Sequence, residues 1–174
     1  EALSTPAIRD KLQKLDGFLE QGVQLKRKVI EGLAPSALSN LGLSTALEVL
    51  VSQAASTAGI PMTFTGPDDP LEPPQEVGIA CYRAAQEALT NVQRHAKATR
   101  VSVDLACSPQ WIELRIRDDG QGFRNTGTGR THGLRGMRHR AVSLGGACVI
   151  QSAPGQGTSV SFRVPFAPHG PEAV

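Results

Sequence analysis

The stretch QEALTNVQRHA, Gln86 to Ala96, sets Glu87, Asn91, Arg94 and His95 at steps of four, three and one. On a helix of 3.6 residues per turn those four side chains share a face. Ala84, Ala85, Ala88, Leu89 and Val92 supply apolar or helix-forming positions. The segment therefore reads as an amphipathic helix whose polar face carries an acid, an amide and two nitrogen bases. A second stretch, TGTGRTHGLRGM (Thr126 to Met137), runs from a glycine- and threonine-rich segment into a helix near Gly133. Glycines at a helix entry let backbone N–H groups approach an anion, and the helix N-terminus favours negative charge. Anion binding is the chemistry this piece points to, although alone it is also an ordinary surface loop. IRDDGQGF, Ile116 to Phe123, ends a strand and turns on Gly120 and Gly122, with Asp118 just ahead. By itself that is also the turn Asp and Gly build at many strand ends. PGQGT, Pro154 to Thr158, alone is a hairpin turn.

These pieces need elements to hold them. Thr5-Pro6 resembles an N-cap followed by proline at the first helical position. Ile8, Leu12, Leu15, Leu19, Gly22, Lys26, Val29 and Leu33 then alternate in steps of four and three, a heptad-like seam weakened at Gly22 and Lys26. A helix so long and charged cannot bury its stripe alone, so a helical hairpin or dimer bundle is expected. The alternative is a single helix folded against its own domain. Pro35, Asn40 and Gly42 interrupt the pattern and set a boundary near residue 34. Residues 35–166 then form the main domain, and 167–174 a tail expected to be disordered.

Within the main domain, Leu43 to Ala58 reads as a helix, PMTFTG as a short strand, and Pro73-Pro74 as the start of a helix running to about Lys97. TRVSVDLAC and QWIELRIRD alternate as half-buried strands joined at SPQ. A helix from about Leu134 to Leu144 and a last hairpin around PGQG complete the domain. Strands joined mainly by hairpins, with helices to cover one face, predict a two-layer α+β sandwich. A doubly wound parallel sheet would need regular βαβ alternation.

Composition narrows the partners. Lys and Arg total 18 against 16 Asp and Glu, a net charge of +2, which gives no reason to expect nucleic acid or an anionic membrane as the main partner. The three cysteines show no CxxC or Cys/His ligand spacing, so reduced thiols, each in a core, and a cytoplasmic location are expected. No apolar run approaches the roughly 18 residues of a membrane span. The chain starts at Glu1 rather than Met, so it is read as a piece of a longer protein that could itself be membrane-anchored.

Taken in order, the four pieces resemble the N box, G1 box, G2 box and final glycine turn of the GHKL ATP-binding superfamily (the Bergerat fold), which includes the kinase domains of sensor histidine kinases, Hsp90 and DNA gyrase. ALSNLGLSTALEVL, YRAAQEALTNVQRHA, DDGQGF, HGLRGM and SAPGQGTSVSFRVP are similar to one subfamily in particular. These are the bacterial sensor kinases, nitrate/nitrite and membrane-fluidity sensors among them, that act on LuxR-type response regulators. The likeness runs from about Gly32 to Pro165.

The resemblance implies roles residue by residue. Asn91 would offer its amide oxygen to Mg2+, a hard cation that keeps several waters. Glu87 would hold a water of the metal shell or act as general base. Arg94 would neutralise phosphate charge and His95 would hydrogen-bond a phosphate oxygen. Asp118 would accept a hydrogen bond from the adenine amine, with Gly120 and Gly122 letting the base come close and Thr158 supporting the pocket. Asn125 to His132 would form the ATP lid. Gly133 and Gly136 would give N–H contacts to phosphates, within an ATP-binding run that also takes in His132, Leu134 and Met137. Arg130, Arg135, Arg138 and Arg140 are candidates for further phosphate contacts or for docking a partner. His139 stands where relatives commonly carry an acid.

Such kinases phosphorylate a histidine on the first helix of a dimeric hairpin, usually followed by an acid. None of His95, His132, His139 and His169 is followed by Asp or Glu, and none lies on the first predicted helix. Thr5 to Leu33 resembles the second hairpin helix instead. The resemblance thus implies a domain that binds Mg-ATP and donates its γ-phosphoryl to a histidine helix missing from this chain, within a homodimeric parent. Alone, the chain should not autophosphorylate. An anti-sigma-factor-type serine kinase of the same fold, and a nucleotide-binding or dimerisation module without transfer, are the other readings.

Overall fold

The computed structural model of the chain describes residues 36–68, 72–124 and 132–165. The expected hairpin helix, the lid from Asn125 to Thr131 with Arg130, and the tail with His169 lie outside the described residues.

Helix α1 (Ser36–Ala58) bends at Gly42, where φ is 76°. It starts earlier than the Leu43 expected from sequence, because Gly42 takes a φ that side chains disfavour and the helix resumes beyond it. Past the bend, Leu43, Ala46, Leu47, Val51 and Ala54 recur at helical spacing and are buried. Strand β1 is Met62–Thr65. Helix α2 (Gln75–Asn91) is entered from Pro74 and buries a stripe rich in alanine, which lets it lie close to its neighbours. It passes into one π-helical turn, Val92–Ala96, closed by Lys97 at a left-handed φ of 51°. The expected helix to Lys97 thus has the right extent, but its last turn is π rather than α.

Strands β2 (Val101–Ser108) and β3 (Trp111–Asp118), helix α3 (His132–Ser143), and strands β4 (Ala147–Ser152) and β5 (Thr158–Pro165) follow. The sheet order is β1-β2-β3-β5-β4. β1 runs parallel to β2 through the α2 crossover, and every other pair is antiparallel. One βαβ unit is therefore present in a sheet otherwise built of antiparallel pairs. Val103, Leu105, Leu114, Ile116, Val160 and Phe162 point from alternate strand positions into the same core as the helices.

The other sheet face has no helical layer among the described residues, which makes two layers. Glu113 is only 7% exposed on that face. Arg115 donates to it from Nε at 2.8 Å and Nη2 at 3.0 Å, and Ser161 Oγ at 2.8 Å. Burial pushes the Glu113 carboxyl up, but these hydrogen bonds and the charges of Arg115 and Arg163 outweigh it and hold it below the usual range. Arg163 lies 4.4 Å from the Trp111 ring centroid. A charge network thus covers part of the face that no helix covers. Cys81 and Cys148 are buried as expected, while Cys107 is only half-buried. Among the described residues no helix is long and apolar enough to cross a membrane.

Candidate functional site

Sheet register aligns Met62, Val101, Asp118, Thr158 and Ser152 in one row across all five strands. Alternation turns Asp118, Thr158 and Ser152 toward the helical layer, since Ile116, Val160 and Ile150 on the same strand faces are core residues. Asp118 and Thr158, forty residues apart in sequence, are thus direct cross-strand partners. Asp118 Oδ1 accepts from the Gly120 amide at 2.9 Å, which curls the chain just past the strand.

Three segments converge beyond that row. The Gln121 amide donates to Ala96 O and Gln121 Nε2 to His95 O, each at 2.7 Å, while Gln121 O accepts from the Gly155 amide at 2.7 Å. The π-helical turn, the Asp118–Phe123 turn and the β4–β5 turn are therefore bonded through one residue. Glycine is required where they touch. A Cβ on Gly120 would collide with the Ala96 carbonyl, and one on Gly122, at φ 59°, with the carbonyls of Ala153 and Gly157. Ser152 Oγ accepts from the Phe123 amide at 2.9 Å, donates to Gly157 O at 2.9 Å and lies 3.1 Å from Thr158 Oγ1.

Asp119 anchors the same turn from the other side. Its Oδ1 accepts from the amides of Thr99 and Arg100 at 2.8 and 3.0 Å, and its Oδ2 from Thr99 Oγ1 at 2.6 Å. The Thr99 hydroxyl and then these amides bring its carboxyl down to about 2.

The metal-facing candidates lie on α2. Asn91 Nδ2 donates to Glu87 Oε1 at 3.2 Å, which leaves the Asn91 amide oxygen turned away from Glu87 as a hard-oxygen donor. The Glu87 carboxylate occupies the space a Cβ on Gly133 would fill, so α2 and the start of α3 meet at these two residues. Among the described residues no three His, Cys, Asp or Glu side chains converge. A single amide oxygen, with waters and phosphate oxygens, suits Mg2+, which does not demand an all-protein cage. Arg94 and His95 are exposed on the π-helical turn.

Leu134 is buried and Met137 fully so; their side chains fill the core, and any ligand contact they make is through backbone. Gly136 carries the Arg140 guanidinium across it, with Nη1 3.3 Å from where a Cβ would stand, and Arg140 Nε is buried without a hydrogen-bond partner. Arg135, Arg138 and His139 are exposed. His132 begins α3. A cleft of about 440 Å³ lined by Thr63, Arg100, Ser102, Arg117 and Asp119, among others, opens at this end of the sheet. Thr63, Ser102 and Arg117 form the neighbouring row on the uncovered face, and Asp118 with Val101 of the inward-facing row also lines this cleft, so it adjoins the candidates at Asp118 rather than enclosing them.

Sequence reasoning missed Gln121, Ser152 and Asp119. Ser152 had a signal, since it and Thr158 flank the glycine turn symmetrically; Gln121 had none beyond its place between two glycines.

A model of the histidine kinase-, DNA gyrase B-, and HSP90-like ATPase family matches residues 76–168, just over half of the chain. The signal transduction histidine-protein kinase/phosphatase DegS of Brevibacillus brevis is 34% identical over 141 residues, covering 80% of this chain and 36% of that protein. The sensor histidine kinase LiaS of Bacillus subtilis is 31% identical over 143 residues, covering 82% and 39%. The chain spans well under half the length of either relative. The histidine kinase domain of the Erythrobacter litoralis blue-light activated histidine kinase has the same fold, with a TM-score of 0.61 at 23% identity, covering 71% of this chain and 61% of that one.

Proposed function

The chain belongs to the histidine kinase-, DNA gyrase B-, and HSP90-like ATPase family, and on that premise we propose that it acts as the Mg-ATP-binding catalytic domain of a sensor histidine kinase. The observation that carries the reading is the bonding of the Asp118 turn to the end of the helix bearing Glu87 and Asn91. One ligand can then be gripped at both ends. Asp118, supported by Thr158, accepts from the adenine amine, and Gly120 and Gly122 admit the base. Asn91 would hold Mg2+ through its amide oxygen, and Glu87 would orient a water beside it or serve as general base. Bound there, Mg2+ would offset the negative charge of the phosphates.

Arg94 and His95 approach the phosphates from the exposed turn, and the backbone of α3 from Gly133 to Met137 offers N–H donors at a helix start. His132 stands first in that run, and Arg140, laid across Gly136 with an unpaired buried Nε, is a further phosphate contact. Phosphoryl transfer rests on positioning and charge neutralisation, which is what this set supplies. None of the four histidines is followed by an acid, so the acceptor is read as a histidine helix outside these 174 residues, in cis or in trans. The parent is proposed to be a homodimer that passes the phosphoryl group to a LuxR-type response regulator. Residues 1–34 would be the second helix of its hairpin. The relatives named above are histidine kinases, so the serine-kinase and non-catalytic readings gain no support from them.

Calorimetric titration with Mg-ATP tests this reading. Wild type should bind, Asp118→Ala should lose roughly tenfold or more in affinity, and Asn91→Ala should lose the dependence on Mg2+. No heat from wild type with ATP would overturn it.

A further inference from the structure

We propose that Gln121 is a positioning residue that sets the spacing between the adenine half and the metal–phosphate half of the nucleotide site. The proposal rests on the ATP-binding reading above. A helix ends with carbonyls that have no partner within it, and the π-helical turn after Asn91 leaves His95 O and Ala96 O in that position. Both are met by Gln121, one by its side chain and one by its backbone. The same residue sits between the two glycines of the adenine turn and accepts from Gly155 on the far side. Asn91 lies one turn before His95, so a slip of this helix end moves Asn91 relative to Asp118.

The Gln121 side chain is exposed and fills no core space, so truncating it removes the donor to His95 O without opening a cavity. Its backbone bonds to Ala96 and Gly155 remain. A ligand spanning both halves should feel the loss, and one occupying only the adenine half should not.

The experiment measures Mg-ATP and adenosine affinities by calorimetry for wild type, Gln121→Ala, Gln121→Glu and Gln121→Lys, with a thermal melt of each. Ala and Glu remove the donor, whereas Lys restores one. Mg-ATP affinity should fall about fivefold in Gln121→Ala, the effect of one neutral hydrogen bond, and at least as far in Gln121→Glu. Adenosine affinity should stay within about twofold in every variant, and Gln121→Lys should bind Mg-ATP nearly as wild type does. Equal weakening of both ligands, unchanged Mg-ATP binding in Gln121→Ala, or no rescue by Lys would each overturn the proposal. If the Ala variant fails to fold, Gln121→Met, which keeps the side-chain length with neither a donor nor a charge, decides in its place. Wild type that binds neither ligand would instead remove the ATP-binding reading, and this proposal with it.

Discussion

Gly120→Ala should be among the most damaging single-methyl additions to this domain, for a reason that can be worked through. The added Cβ would stand 2.8 Å from the carbonyl carbon of Ala96 and 2.8 Å from its Cβ, and closer still to its oxygen. None of these atoms belongs to a flexible side chain that could swing away. The turn must therefore lift off the helix end, straining the Gln121 bonds to Ala96 O and His95 O. Overpacking of this kind costs roughly 1–3 kcal/mol, and each lost neutral hydrogen bond about 1 kcal/mol. Less flexibility in the unfolded alanine chain returns about 0.5 kcal/mol. The net expectation is about 3 kcal/mol of lost stability. Gly155→Ala is the control, because nothing lies within 4 Å of its Cβ position and only its φ of 77° is unfavourable. That left-handed conformation should cost about 1 kcal/mol net. Urea unfolding of both variants beside wild type gives the difference directly. Midpoints for Gly120→Ala and Gly155→Ala that agree within about 0.5 kcal/mol would refute the idea that packing against Ala96 fixes the turn.

The remaining predictions concern titration and thiols. Asp119 has its carboxyl lowered from 3.8 to about 2 by hydrogen bonds, so its contribution is full above the unfolded value and is lost as pH falls through the folded one. The stability gap between wild type and Asp119→Ala, read from urea midpoints, should therefore be constant above about pH 5 and close between about pH 4 and pH 2; a gap that widens in acid would refute this. Burial pushes the Cys81 thiol up to about 12 and Cys148 up to about 11. Cys107 is raised too, first by burial and then by Glu72, but is half-buried. Alkylation of the native protein at mildly alkaline pH, followed by peptide mass spectrometry, should label Cys107 first and the other two only on unfolding; equal labelling would contradict the packing described.

The elements that hold the site could be read from the chain because their signals are local. Alternation in TRVSVDLAC and QWIELRIRD, the proline entry to α2 and the glycine turns each depend on residues a few positions apart. Asp118 and Glu87 stood out for the same reason. What joins them did not. Gln121 bonds to His95 across 26 residues, Phe123 to Ser152 across 29, and Thr99 to Asp119 across 20. Those partners are chosen by sheet register and by where helices end, which no short window records. Leu134 and Met137 illustrate the opposite case. Their i, i+3 apolar spacing already marks the core stripe of a helix, and the structure buries both. Pro35 and Gly42 signalled a break, which Gly42 makes as a bend within α1 rather than as its start. Asn91 looked like the middle of an α-helix, and nothing in VQRHA announces that the next turn widens.

That widened turn has a consequence for how the gene can change. A π-helical turn closes on i+5 rather than i+4, so Val92–Ala96 stores one more residue than an α-helical turn would. Deleting a single codon there would let the turn relax to α with its neighbours nearly in place. A deletion earlier in α2, where no residue is spare, would instead carry everything after it about 100° around the axis. The carbonyls that meet Gln121 would face elsewhere, and Gly120 would lose the surface it packs against. Substitutions at the exposed Gln93 or Arg94 leave that count untouched. The Pro109-Gln110 turn, exposed and at the far end of the β2–β3 hairpin, can instead accept an inserted residue without moving Asp118. At this end the glycines and Asp118 fix identity and the bonds to Gln121 fix the count of residues before the turn, while at the far end of the β2–β3 hairpin both are freer.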